Sequence, residues 1–139
     1  MHISIEIQKN LEELRTQLIA KLLESSTDLS EGTVMTMGPP PYRRIDCNGR
    51  AVAYVRTRPR KQAVRVDISG LWVICPQTRE NLDRIMVRSA TGSVSLLIKS
   101  KADIEASIQL IVNTVLHTQK LERDYTIRKQ AREEEDRAA

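Results

Sequence analysis

The pair Asn48-Gly49 constrains the fold more than any other two residues of the chain. A two-residue turn between antiparallel strands needs positive φ at both positions, which asparagine tolerates and glycine adopts freely. Strand-like segments flank the pair at 42–47 and 50–56. Such a loop pairs Cys47 with Arg50, Ile45 with Val52 and Arg43 with Tyr54. One face of the hairpin then carries Arg43, Ile45, Cys47, Arg50, Val52, Tyr54 and Arg56. The other carries Tyr42, Arg44, Asp46, Ala51, Ala53 and Val55. Neither face is cleanly polar, so the orientation of the hairpin stays open. A loop at 57–61 leads to a third strand, 62–68, where Val64, Val66 and Ile68 alternate with Ala63, Arg65 and Asp67. Residues 94–99 read as one strand more.

Two stretches change the period from two to that of a helix. Ile7, Leu11, Leu14, Leu18 and Leu22 form an apolar stripe, which predicts a helix over 4–24 with Ser4 as its cap. A short strand through Ile3, Ile5 and Ile7 is the competing reading. Ser100-Lys101-Ala102-Asp103 resembles a capping box with Asp in place of Glu, and opens a helix marked by Ile104, Ile108, Ile111, Val112 and Val115. After Leu121 the pattern thins. The acids of Glu133-Glu134-Glu135-Asp136 oppose the helix dipole there, which predicts a frayed end. Residues 76–86 also show helical spacing, at Leu82, Ile85 and Met86, while the apolar patch 71–74 has no assigned state.

The expected fold is α+β: a mainly antiparallel three- to four-stranded sheet packed by N-terminal and C-terminal helices. Residues 1–27 form the N-terminal helix. Residues 28–41, with Gly32, Gly38 and Pro39-Pro40-Pro41, form a stiff extended connector. Residues 42–121 are the core, and 122–139 a charged helical tail. The N-terminal stripe is expected to pack on its own sheet. Its 4-3-4 spacing also suits a seam for self-association.

Composition removes several classes of function. At 139 residues and 40% hydrophobic content, one domain with a modest core is expected. Aromatics make up 3% and phenylalanine is absent, so that core must be aliphatic. No apolar run reaches the ~18 to 20 residues of a membrane span, and Met1-His2-Ile3 does not begin a secretory pattern. Cys47 and Cys75 make no disulfide framework, and a cytoplasmic setting is expected. No catalytic constellation, metal site or cofactor site is expected either. His2 and His117 stand alone, and the cysteines read as small core hydrophobes. Asp46 and Asp67 read as balancing Arg44 and Arg65 on neighbouring strands, not as holding a metal.

Charge is the remaining signal. The net charge is only +4, yet between Tyr42 and Arg65 eight basic residues stand against one acid, Asp46. Arginines on a hairpin and its following loop can reach phosphates and release counterions. Tyr42 and Tyr54, interleaved with them, suit stacking on unpaired bases. Arg43, Arg44, Arg56, Arg58, Arg60 and Lys61 are therefore the expected contacts, with Pro59 holding their loop extended. This points to a non-catalytic accessory protein that binds DNA or RNA within a larger assembly. The alternative is an adaptor or inhibitor that binds an acidic protein surface; the bland reading is a solvated sheet edge.

Arg50-Ala51-Val52-Ala53-Tyr54-Val55, Val64-Arg65-Val66-Asp67-Ile68 and Ser93-Val94-Ser95-Leu96-Leu97-Ile98, followed by Asp103-Ile104 and Leu110-Ile111, carry one resemblance. About half the chain is similar to a small uncharacterised bacterial domain found at the end of restriction-like and "predicted transport" proteins. That family usually has more aromatics around its final strand. The resemblance implies a curled antiparallel sheet backed by a C-terminal helix, in the company of nucleic-acid defence proteins, with no activity to inherit.

Overall fold

The computed structural model describes residues 4–34, 37–38, 41–70, 72–74, 85–88 and 94–138. Its first element is helix α1, Ile5–Ser25, and the Ser4 hydroxyl accepts a hydrogen bond from the Ile7 N–H at 3.1 Å. That bond satisfies one of the orphan donors of the first turn, so Ile5 and Ile7 are helical. Leu11, Leu18, Ile19 and Leu22 are buried against the sheet. Each leucine so buried contributes roughly 1.5–3 kcal/mol. Ile7 and Leu14 of the same stripe are partly buried against this core, so the stripe packs within the domain as expected.

Six antiparallel strands follow among the described residues: β1 Leu29–Gly32, β2 Arg43–Cys47, β3 Arg50–Arg58, β4 Ala63–Ile68, β5 Met86–Arg88 and β6 Val94–Ile98, in the spatial order β1-β2-β3-β4-β6-β5. The α+β architecture is the expected one, but the sheet has two strands beyond the expected four. β1 occupies the start of the segment read as connector, where Leu29 is buried and pairs with Cys47. Met86, the last residue of the expected 76–86 helix, instead begins β5; the rest of that segment except Ile85 lies outside the described residues.

Asn48 and Gly49 make the β2–β3 turn with φ of 51° and 83°, the positive pair that the sequence demands. Cys47 pairs with Arg50 as expected, but the register then shifts. Asp46 lies opposite Ala51 and Ile45 opposite Ala53, so Val52 is an extra residue on β3. Val52 and Ala53 are consequently both fully buried, which strict alternation forbids.

Helix α2 runs without a break from Lys101 to Ala138. The Asp103 carboxylate reaches back to accept the Lys99 N–H at 2.9 Å, one residue earlier than in a standard capping box. Thirty-eight residues make a helix of about 57 Å, longer than any strand it covers. Its buried face ends at Thr118, and the acidic run 133–136 lies within regular helix, followed by Arg137 in the last turn. That cation offsets part of the unfavourable dipole interaction. One aliphatic core fills the space between the helices and a single face of the sheet, with Ile45, Val55, Val66 and Leu96 meeting Leu18, Leu22 and Ile111. Trp72 is the aromatic residue in this core. Among the described residues no helix is long and apolar enough to cross a membrane.

Candidate nucleic-acid interface

Directly paired residues of neighbouring strands share a face of the sheet. Arg44 pairs with Tyr54, Tyr54 with Asp67, and Asp67 with Ser95; one step along, Arg56 pairs with Arg65. These residues lie on the face opposite Ile45, Val55 and Val66. Both described helices share the core on that other side and leave this polar face, the open face, without a described helix on it. Arg44, Tyr54, Arg56, Arg65 and Asp67 are half-buried there and Ser95 is buried.

Ion pairs organise this open face. Arg44 Nε donates to Asp46 Oδ1 at 2.6 Å. Gly32 of β1 lies beneath that pair: a Cβ there would come within 2.5 Å of Asp46 Oδ2 and 2.9 Å of Arg44 Nε. Asp67 receives two guanidiniums, Arg65 Nε at 2.8 Å and Arg56 Nη2 at 3.2 Å, and the Ser95 hydroxyl donates to its Oδ1. Burial pushes the Asp67 carboxyl up, but the Ser95 hydrogen bond and the two arginines outweigh it and hold the group below its ordinary value. Asp46 and Asp67 thus balance Arg44 and Arg65 as the sequence suggested, although β3 separates their strands. Tyr42 and Tyr54 meet edge to face, with ring centroids 5.3 Å apart.

The six residues expected to contact phosphate do not form one patch. Arg43 pairs across the other face with Glu31 of β1, through Nε at 2.5 Å and Nη2 at 2.6 Å. That bidentate bond draws the Glu31 carboxyl below its ordinary value. Arg44 and Arg56 are on the open face, each with a carboxylate partner. Arg58 follows Arg56 on that face, two residues further along β3. Thr57 and Arg58 are therefore strand residues, because pairing persists to Arg58↔Ala63. Pro59 does not hold an extended loop; it opens a 3-10 turn, Pro59–Lys61, where its fixed φ suits the first position, and Gln62 closes the turn at φ 48°. Arg60 and Lys61 are exposed on this turn.

Arg50, at the other end of β3, serves the fold. Its guanidinium stacks 4.6 Å from the Trp72 ring and donates to Glu122 of α2 at 2.8 Å, while the Trp72 indole N–H donates to the Ala51 carbonyl at 2.8 Å. These contacts tie the hairpin tip to α2 beside an open groove of about 770 Å³. Cys47 lines the groove, but burial first, and then the Asp28 carboxylate, push its thiol pKa up, so it stays protonated and is a poor nucleophile. The sequence reading missed the roles of Glu31, Asp67 and Glu122 as partners of Arg43, Arg56 and Arg50. Nothing in local periodicity signals pairs 12, 11 and 72 residues apart. No protein-family model, curated protein or solved structure matches this chain.

Proposed function

We propose that this chain binds nucleic acid without catalysing a reaction, and that the β3–β4 turn makes the first contact. One observation carries the reading. Within the basic segment, Arg43, Arg44, Arg50, Arg56 and Arg65 each hold a carboxylate, whereas Arg58, Arg60 and Lys61 have no ion-pair partner among the described residues. Three cations without a carboxylate partner among the described residues thus gather at one end of the sheet, where a polyanion is attracted without breaking any of the described ion pairs. A larger assembly is part of the proposal.

Changing Arg58, Arg60 and Lys61 together to Glu touches no core side chain; of the three only Arg58 is partly covered. Binding of random DNA and RNA is expected to fall sharply, and its dependence on log salt to flatten by roughly one unit per lost phosphate contact. Unchanged affinity with an unchanged salt slope would remove the turn from the interface. The second reading, an adaptor for an acidic protein surface, draws on Arg43, Arg44, Arg50, Arg56 and Arg65, which already bind carboxylates within the chain. Salt-sensitive binding to polyglutamate with none to DNA or RNA would select it.

A further inference from the structure

The open face of the sheet adds a feature that phosphate attraction alone does not use. Tyr54 sits at its centre, between Arg44 on β2 and Asp67 on β4, with the Tyr42 ring against it. Arg44, paired with Tyr54 across the strands, donates to Asp46 on the same face. Along β3, Tyr54, Arg56 and Arg58 project on the same side at steps of about 7 Å, and the chain then passes directly into the 3-10 turn that carries Arg60 and Lys61. Across the sheet, Arg56 and Arg65 share the single carboxylate of Asp67, so that this group of three carries one net positive charge. The shared carboxylate also fixes both guanidiniums in place, which lowers the entropy lost when they meet a ligand.

From this arrangement we propose that the ligand class is single-stranded nucleic acid, bound across the open sheet face with bases against Tyr54 and Tyr42 and phosphates along Arg56, Arg58, Arg60 and Lys61. The inference rests on the nucleic-acid reading above and narrows it. A duplex keeps its base faces inside the stack, so an aromatic platform gains nothing from it beyond phosphate contacts; an unpaired strand presents those faces. The charged turn follows directly on the strand that carries Tyr54, Arg56 and Arg58, so a strand of ligand laid along β3 reaches both.

The test compares four ligands on the unaltered protein by fluorescence anisotropy, across a salt series: a 20-nucleotide oligo-dT, the equivalent oligo-rU, a duplex of equal length and an abasic strand of equal length. Tighter binding of the unpaired strands than of both the duplex and the abasic strand is expected, the latter by roughly 5- to 100-fold from the lost stacking. Tyr54→Ala should remove most of that gap and Tyr54→Phe should keep it. The abasic comparison needs no variant, so a folding defect in Tyr54→Ala leaves the test intact. Equal binding of dT and abasic strands, or a preference for duplex, overturns the single-strand inference while leaving the broader reading in place. Absence of salt-sensitive binding to all four ligands overturns the broader reading itself.

Discussion

Replacing Gly49 probes the turn that organises the sheet, and the structure isolates the cause of the expected loss. Gly49 has φ of +83°, and a Cβ built on it would meet no atom within 4 Å. Any destabilisation therefore comes from backbone conformation and not from crowding. A left-handed conformation costs an L-residue with a Cβ about 1–2 kcal/mol, and a β-branched side chain resists it more strongly. Gly49→Ala should thus lose about 1 kcal/mol and Gly49→Val about 2–3 kcal/mol. Gly49→Asn should lose least, because asparagine enters the left-handed region more readily. For a chain of this size each kcal/mol lowers the melting temperature by roughly 3–5 °C. Melting followed by circular dichroism should order the variants Asn, Ala, Val from mildest to worst. A Gly49→Val protein that melts within about 1 °C of the parent would refute the positive-φ turn and the cost assigned to it.

Leu18 is fully buried, so Leu18→Ala should cost about 2–5 kcal/mol in urea unfolding, with a midpoint independent of protein concentration; a midpoint that moves with concentration would return α1 to a dimer seam. Asp67 is held ionised below its ordinary range, so its contribution is complete above that range and is lost as pH falls through the depressed native value. The stability gap between the parent and Asp67→Asn should accordingly be widest near neutrality and shrink in acid below about pH 4, and a gap constant from pH 7 to pH 3 would contradict the pairing with Arg56, Arg65 and Ser95. Cys47 is buried with its thiol pKa raised, so iodoacetamide should label it in the native protein roughly 10-fold or more slowly than in urea; equal rates by peptide mass spectrometry would show an open site.

The elements legible in the sequence are those whose cause is local. Asn48-Gly49 specifies its turn because φ preference belongs to the residues themselves, and the observed angles of 51° and 83° follow. The stripe from Leu11 to Leu22 specifies α1 and its buried face through spacing alone, and Ser4 marks its start. Asp103 likewise marks the start of α2, with a bond one residue off the expected one.

What the tertiary structure decides is pairing between distant segments. Leu29-Ser30-Glu31-Gly32 has no strand signal of its own among glycine and proline, and becomes a strand because the free edge of β2 supplies its hydrogen bonds. The extra residue at Val52 is invisible to alternation, since either register satisfies a segment as uniformly apolar as Ala51-Val52-Ala53. Charge is the clearest case. The sequence fixes that eight cations lie close together between Tyr42 and Arg65, but not which of them remain uncompensated. Folding brings Glu31, Asp67 and Glu122 to Arg43, Arg56 and Arg50, and leaves Arg58, Arg60 and Lys61 without a carboxylate among the described residues. Coulombic attraction acts over a few ångströms of space whatever the separation along the chain, so that selection belongs to the fold.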